Sequence, residues 1–240
     1  MFVEPRYRRI VLKVSGESLG GSHSPVDIDR MTEVAQSIRT VCKMGVTTTV
    51  IVGGGNIFRG GSAKAWELDR LQADEAGMAA TGVNAILLQG ILESMAVRTE
   101  IFSRGPCNGI GIPYSGEELR AALSDGQVGI LAGGMGISGF STDVPAVHAA
   151  IDTMAEVVIM SKHGTDGVYN DDPRVVKNAR FLPSLSASQA LARKLRVMDS
   201  TALSLARDHS KYIHVVPAAD PNSVQYAVEG KEVGSVITPQ

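Results

Sequence analysis

The chain has 240 residues, enough to bury the core of one large domain and too few for two large domains. Hydrophobic residues make up 44% and charged residues 20% of the chain, which excludes a disordered or fibrous protein. The 23 Lys and Arg residues against 25 Asp and Glu residues give a formal charge of −2. This balance argues against a nucleic-acid-binding protein, in which a basic domain is expected.

The composition also argues against export, membrane insertion and a structural metal. No run approaches the roughly 18 apolar residues of a membrane span, and the charged N-terminus is unlike a signal peptide. Cys42 and Cys107 are too few for a disulfide framework, and no CxxC or HExxH pattern predicts metal ligands. We therefore expect a soluble, cytoplasmic protein with no metal-ligating residues and neither a membrane nor a nucleic acid as partner.

Short β-branched runs alternate with helical patterns along the chain. The apolar runs predict strands at residues 9–14, 46–52, 98–103, 128–132, 157–161, 213–217 and 235–238. Apolar residues at helical spacing predict helices at 29–43, 69–95, 117–123, 142–154, 186–192 and 199–209. Asp27 or Asp29 is expected to cap the first helix, and Gly45 to end it. The alternation predicts an α/β fold, a single-domain three-layer αβα sandwich around a mainly parallel central sheet.

Four of the predicted strands end in turns suited to a ligand. Glycine or serine follows directly after Val14, Val52 and Ala132, and the strand at 157–161 is followed by Lys162–His163–Gly164. Ligands of open α/β sheets bind beyond the carboxyl ends of the strands. Turns with exposed backbone N–H groups attract anions, so we expect a long cleft for a phosphate-rich ligand.

The segment Gly134–Gly139 (GMGISG) has the GxGxxG pattern, with Glu156 about 20 residues further on. Such a pattern after a strand is compatible with dinucleotide binding, but glycine-rich loops follow strands in many α/β proteins. The P-loop pattern GxxxxGK[ST] is absent from the sequence. A kinase with this sequence must therefore hold its phosphates in another way.

Two other segments offer such a phosphate site. Lys13 lies at the end of a strand beside the small turn Ser15–Gly16, where its cationic side chain can contact a phosphate. The structural alternative is an edge lysine followed by an ordinary turn. Gly53–Gly60 (GGGNIFRG) places three glycines after a buried strand, where a ligand can approach the backbone, and Arg59 can form a bidentate contact with phosphate. The structural alternative for these glycines is a tight crossover of the chain.

Three further residues have both a functional and a structural interpretation. Asp74 and Asp143 lie near predicted helix starts, so each is either a ligand-binding carboxylate or an N-cap. Tyr169 lies between carboxylates in the loop 166–173 and either stacks on a base or anchors the loop.

Together these segments resemble the amino-acid kinase superfamily and, within it, the bacterial UMP kinase family. The resemblance runs over about residues 8–238 and depends on ordered motifs, namely KVSGE at 13–17, GGGNIFRG at 53–60, DEAGM at 74–78, FSTD at 140–143, DGVYNDDP at 166–173 and VMD at 197–199. It implies ATP-dependent phosphorylation of UMP to UDP with Mg²⁺, in a cytoplasmic homohexamer that serves pyrimidine nucleotide biosynthesis. The alternative is a non-catalytic homologue that binds a nucleotide or an oxoanion.

The resemblance also implies residue roles, with UMP on an N-terminal part of about 1–150 and ATP on a C-terminal part of about 151–240. The implied catalytic residues are Lys13, Arg59 and Asp199. The implied ATP-binding residues are Lys13, Val14, Ser15, Gly16, Gly55, Arg59, His163, Tyr169 and Asp172. The implied UMP-binding residues are Gly54, Asp74, Met135, Gly136, Ile137, Ser138, Gly139, Phe140, Ser141 and Thr142.

The chain departs from the family in the loop that is expected to contact uracil. Met135 and Ile137 stand where the family usually has threonine and asparagine, which leaves open how strictly UMP is preferred over CMP. Inhibition by UTP is also implied, whereas the segment 21–27 differs from the family near the GTP-responsive region and leaves a GTP response open.

Overall fold

The protein was analysed as a computed structural model that describes residues 4–58, 66–195 and 197–240. The strands in these residues are β1 (Arg9–Val14), β2 (Thr47–Val52), β3 (Thr99–Ser103), β4 (Ile112–Pro113), β5 (Val128–Ala132), β6 (Val157–Lys162), β7 (Ser184–Ser186), β8 (Tyr212–Pro217) and β9 (Ser235–Thr238). The α-helices are α1 (Ile28–Lys43), α2 (Arg70–Ser94), α3 (Gly116–Ser124), α4 (Asp143–Asp152), α5 (Ala187–Ala192), α6 (Ser200–Asp208) and α7 (Ser223–Val228).

All the strands named above belong to one sheet, in the order β4-β3-β5-β2-β1-β6-β8-β9-β7. Its pairs are parallel except for β8 and β9, which run antiparallel. The four strands that end in the predicted ligand-binding turns, β5, β2, β1 and β6, are neighbours in this order. Val14 pairs with Val52 on one side and with Ser161 on the other, so the carboxyl ends of these strands lie level.

Helices cover both faces of the sheet and bury a separate core on each side. Alternate residues of β1 show the division, because Ile10 and Leu12 belong to one core whereas Val11 belongs to the other. Helices α1, α2 and α7 pack against the first face, and α3, α4, α5 and α6 pack against the second. This confirms the predicted three-layer αβα sandwich with a mainly parallel sheet.

Local capping explains where the two longest helices begin. Asp27, one of the two residues predicted as caps of α1, accepts the N–H groups of Asp29 and Arg30. Asp69 and Gln72 form a reciprocal capping box at the start of α2. Gly45 follows α1 with φ +81, a conformation that favours glycine, as expected for the residue that ends a helix.

The predicted strands and helices are all present, with boundaries shifted by two residues or fewer. The sequence patterns missed β4, β7 and α7, which have two, three and six residues. The two strands are too short to show a full hydrophobic period, and their hydrogen-bonded neighbours in the sheet define them instead. No helix in the described ranges is both long enough and apolar enough to cross a membrane.

The burial of His214 on β8 predicts that the stability of the protein depends on pH. Its ring is 3% exposed, Nε2 lies 2.7 Å from the carbonyl oxygen of Val233, and Nδ1 has no hydrogen-bond partner among the described residues. Burial lowers the pKa of His214 from its ordinary value near 6.5. Between the folded pKa and 6.5 the unfolded chain binds the extra proton, so stability falls as the pH is lowered through this window.

We expect the thermal unfolding midpoint to fall as the pH is lowered from 7 to 5, and His214→Gln to flatten part of this dependence by removing the titrating ring. Exposed His23 provides the control, because His23→Gln should leave the slope unchanged. Equal slopes for the wild-type and His214→Gln proteins would contradict this account.

Candidate active site

A cleft of about 380 Å³ opens at the carboxyl ends of β1, β2 and β5. This volume lies in the usual range for small-molecule sites. Its lining comes from the turns after the three strands, from the N-terminal half of α2 and from the loop before α4: Lys13, Ser15, Gly16, Glu17, Gly53, Gly54, Gly55, Phe58, Ala73, Asp74, Gly77, Met78, Thr81, Gly134, Ile137, Phe140, Ser141 and Thr142. The structure thus has a cleft at the edge of the sheet where a ligand was expected.

The glycines of this edge are required by contacts between backbone segments. A Cβ on Gly53 would lie 2.6 Å from the amide nitrogen of Gly16, and one on Gly54 would lie 2.5 Å from the carbonyl oxygen of Gly77. The tight crossover considered above is therefore present at Gly53 and Gly54. The expectation of exposed amides is wrong for Gly53 and Ser15, because their N–H groups donate to the carbonyl oxygens of Val14 and Ser161.

A pair of asparagine side chains holds the turn after β2 in place. Asn84 is buried on α2 and donates to the carbonyl oxygen of Gly53 at 2.7 Å. Asn56 and Asn84 also exchange amide hydrogen bonds at 2.8 and 3.1 Å, and Asn56 donates to the carbonyl oxygen of Pro25. Buried polar groups paired in this way resist displacement, which preserves the shape of the cleft wall.

Lys13 is paired with a carboxylate at the base of the cleft. Its Nζ lies 3.2 Å from Oδ1 of Asp143, and both side chains are about 10% exposed. The second oxygen of Asp143 accepts the N–H of Asp199 at 3.1 Å. The side chain of Asp199 caps α6 through the N–H of Thr201 and accepts the hydroxyl of Ser141. The carboxylate that positions Lys13 is therefore that of Asp143, and Asp199 acts on the pair through its backbone.

A second lysine lies beside this pair. Lys162 ends β6, on the same face of the sheet as Lys13, and its ammonium donates to the carbonyl oxygen of Val197. Burial lowers the pKa of Lys162, Asp143 raises it and Lys13 lowers it further. The sequence interpretation assigned no role to Lys162, whose sequence signal was a lysine at the end of the fourth cleft strand. It left Asp143 open between a ligand-binding carboxylate and an N-cap and did not pair it with Lys13.

Asp74 lies inside α2, since Asp69 caps that helix, so the capping interpretation of Asp74 is wrong. Asp143 is likewise the first residue of α4 after the N-cap position, which Thr142 occupies. The carboxylate of Asp74 accepts a hydrogen bond from Nε of Arg70 and another, at 2.8 Å, from the N–H of Gly139. It thereby connects α2 to the β5–α4 loop, residues 133–142, and retains acceptor capacity toward the cleft.

The β5–α4 loop contributes only part of its predicted residues to the cleft. Ile137, Phe140, Ser141 and Thr142 line it, whereas Met135, Gly136, Ser138 and Gly139 are not among the lining residues. The Met135 sulfur instead lies 3.4 Å from Nη1 of Arg104, behind the loop. At the start of the loop, the hydroxyl of Thr81 accepts the N–H of Gly133 at 2.7 Å. Thr81 is a further cleft residue that the sequence patterns missed.

The residues predicted for the adenosine end of ATP lie outside this cleft lining, on the segment after β6. His163 is exposed, and Asp172 pairs with Arg174 at 2.8 Å. The Tyr169 hydroxyl donates to Asp166 at 2.9 Å and its ring packs on Phe181, so Tyr169 anchors this loop. Val14 is buried at the end of β1. Arg59 lies outside the described residues.

The dinucleotide interpretation of the GxGxxG segment is wrong. Glu156, the carboxylate about 20 residues after this pattern, accepts hydrogen bonds from the N–H groups of Arg8 and Arg9 at 2.5 and 2.9 Å. Arg9 begins β1, whereas the cleft lies at the other end of this strand. Glu156 is therefore on the opposite edge of the sheet from the glycine loop.

The fold and the cleft define a class of protein, an α/β protein without a P-loop whose small-molecule cleft opens at the carboxyl edge of its sheet. The model of the amino acid kinase family matches residues 8–217. The chain therefore belongs to the amino acid kinase family.

Relatives and solved structures show which members of this family the chain resembles. The uridylate kinase of Bifidobacterium longum (strain NCC 2705) is 36% identical over 231 residues, covering 96% of this chain and 94% of that protein. The uridylate kinase of Frankia casuarinae is 36% identical over 97% of this chain and 91% of that protein. The UMP kinase structure from Bacillus anthracis superposes with a TM-score of 0.93 at 31% identity, covering 98% of this chain and 97% of that chain. The UMP kinase structure from Ureaplasma parvum superposes with a TM-score of 0.90 at 33% identity, covering 97% of this chain and 99% of that chain.

The contact between Gly54 and Gly77 supplies a matched test of the cleft wall. Gly54→Ala places a methyl group 2.5 Å from a backbone oxygen, whereas a Cβ on Gly77 meets nothing within 4 Å. We expect Gly54→Ala to cost about 1–3 kcal/mol of unfolding free energy. Gly77→Ala, in a helix interior, should be neutral or stabilising by up to about 1 kcal/mol. Thermal or denaturant unfolding compares the two, and an equal effect of both substitutions would contradict the packing argument.

Proposed function

We propose that the protein transfers the γ-phosphoryl group of ATP to UMP, giving UDP and ADP, within pyrimidine nucleotide biosynthesis in the cytoplasm. The observation that carries this proposal is the buried Lys13–Asp143 pair at the base of a glycine-walled cleft, in a chain of this family. The uridylate kinase relatives span nearly the whole chain and support UMP as the acceptor. A non-catalytic nucleotide- or oxoanion-binding homologue is not favoured.

The chemistry requires positioned positive charge more than a general base. A nucleoside monophosphate has a second phosphate pKa of about 6 and is largely dianionic at pH 7, so its oxygen attacks without losing a proton. The transition state of phosphoryl transfer is loose and accumulates charge on the transferred oxygens. Lys13, held by Asp143 at 3.2 Å, supplies a fixed ammonium group at this point.

The substrates would occupy opposite ends of the cleft. In this proposal Asp74 and the β5–α4 loop bind UMP, with Gly54 at its phosphate, on the part formed by residues 1–150. The turn Val14–Gly16 and Gly55 bind the ATP phosphates, Arg59 bridges donor and acceptor, and the segment with His163, Tyr169 and Asp172 receives the adenosine from the part formed by residues 151–240. Asp199 positions Lys13 through Asp143.

Mg²⁺ would enter with ATP and neutralise charge on its phosphates. In the part of the chain that the structure describes, no group of three or more His, Cys, Asp or Glu side chains could hold a metal ion. Mg²⁺ keeps several waters and binds through substrate phosphates and one or two carboxylates, so it does not require a larger set of protein ligands. Asp199, half-exposed beside Ser141 of the cleft, is the carboxylate that would contact it.

The decisive experiment measures ADP release by the purified protein with UMP, with CMP and with no acceptor. The proposal predicts release that depends on UMP and is slower with CMP. Added UTP and GTP in the same assay test the UTP inhibition that the resemblance implies and the GTP response that it leaves open. Release with no acceptor at the same rate, or no release at all, would contradict the proposed transfer.

Lys13→Met tests the role of the ammonium group. We expect kcat to fall by about 10²–10³, the usual cost of losing one contact to transition-state charge. Lys43→Met, at the exposed end of α1, is the control and should keep full activity. Lys13→Met leaves the Asp143 carboxylate buried without its partner, which by itself lowers stability. The double variant Lys13→Met/Asp143→Asn has no unpaired buried charge, so a loss of activity in it is not explained by a loss of stability. Full activity in a folded Lys13→Met protein would contradict the assignment.

We also propose that the protein is a homohexamer. An apolar face on α2 supports self-association, since Val83, Ile86 and Leu87 are 46, 49 and 39% exposed and recur at helical spacing. A second copy of the same helix would bury this face. Ile86→Glu should lower the sedimentation coefficient by disrupting this contact. An unchanged assembly, or a monomeric wild-type protein, would contradict the proposal.

A further inference from the structure

Arg104 lies directly behind the β5–α4 loop. It follows β3, and its N–H donates to the carbonyl oxygen of Ala132, the last residue of β5. A Cβ on Gly133 would lie 1.9 Å from the carbonyl oxygen of Arg104, and one on Gly136 would lie 3.1 Å from the Arg104 Cβ. The loop backbone therefore packs directly onto this residue.

The Arg104 guanidinium extends this contact along the loop. Its Nη1 lies 3.5 Å from the carbonyl oxygen of Gly134 and 3.4 Å from the sulfur of Met135. The distance to the carbonyl oxygen is long for a hydrogen bond and sulfur is a weak acceptor, so the group acts mainly by filling the space behind the loop and placing positive charge near the carbonyl. Gly134 itself lines the cleft. The cleft-facing and Arg104-facing sides of the loop are thus separated by one layer of backbone.

An aromatic and acidic cluster holds the guanidinium in place. Its carbon lies 3.6 Å from the centroid of the Tyr114 ring, a stacking geometry typical of arginine. The Tyr114 hydroxyl donates to Oδ2 of Asp152 at 2.5 Å, and Nδ1 of His148 lies 3.1 Å from the same oxygen. His148 and Asp152 belong to α4, the helix that follows the loop. The cluster therefore connects both ends of the loop to one guanidinium.

We infer that Arg104 is a positioning residue that fixes the β5–α4 loop from behind, so that UMP affinity depends on Arg104 although it is not among the residues lining the cleft. The inference rests on the proposed function. It also assigns Met135 to the support of the loop, through its sulfur contact with Arg104, and leaves recognition of the base to the cleft side of the loop.

Arg104→Met removes the charge and the planar stack but keeps most of the side-chain length. We expect KM for UMP to rise on the order of tenfold, because misplaced binding groups weaken substrate positioning, while kcat and KM for ATP change by less than about twofold. Arg104→Lys keeps the charge without the planar stack and should give an intermediate KM for UMP. The stabilisation of the protein by UMP alone, measured as a thermal shift, should fall in the same order.

Arg98→Met is the matched control, because Arg98 precedes the same strand at its other end and pairs with exposed Asp125 at 2.8 Å. It should leave both KM values unchanged. If Arg104→Met does not fold, Tyr114→Leu removes the stacking surface instead and should raise KM for UMP in the same way. An unchanged KM for UMP in the folded variant, or an equal rise of both KM values, would overturn the inference. A wild-type protein without UMP-dependent ADP release would instead contradict the proposed function.

Discussion

The ion pair between Lys13 and Asp143 is the interaction on which the rest of the site depends. Both side chains are nearly buried, and removing one partner of such a pair typically costs about 3–5 kcal/mol because an uncompensated charge remains. The pair fixes the end of β1 against the start of α4, and the N–H of Asp199 brings α6 to the same carboxylate. One buried charge pair thus organises three elements around the base of the cleft.

Close backbone packing gives the cleft its second constraint. Gly16, Gly53 and Gly54 are glycines because other backbone segments occupy the space that a side chain would need. Their contacts, with the Asn56–Asn84 pair, hold the turns after β1 and β2 at fixed positions. A rigid wall of this kind suits phosphoryl transfer, in which positioning and preorganised charge supply most of the rate enhancement.

The two sides of the β5–α4 loop make different contacts. Ile137, Phe140, Ser141 and Thr142 face the cleft, whereas Met135 contacts Arg104 behind it. Met135, which departs from the family pattern, therefore contacts the residue behind the loop instead of lining the cleft. The contact between Asp74 and Gly139 then connects the loop to α2 on the cleft side.

The sequence by itself determined the order and type of the longer elements, the parallel sheet and the edge at which the cleft opens, because hydrophobic period, capping residues and glycine turns are local properties. Its motifs predicted a ligand-binding role for Lys13, Asp74 and the glycine segments, and Lys13, Asp74 and residues 53–55 line the cleft. Only the tertiary structure decided that Lys13 pairs with Asp143, that Glu156 lies on the opposite edge and that Met135 turns toward Arg104. These contacts join residues far apart in the chain, and the strand order and helix packing that bring them together follow from the whole fold.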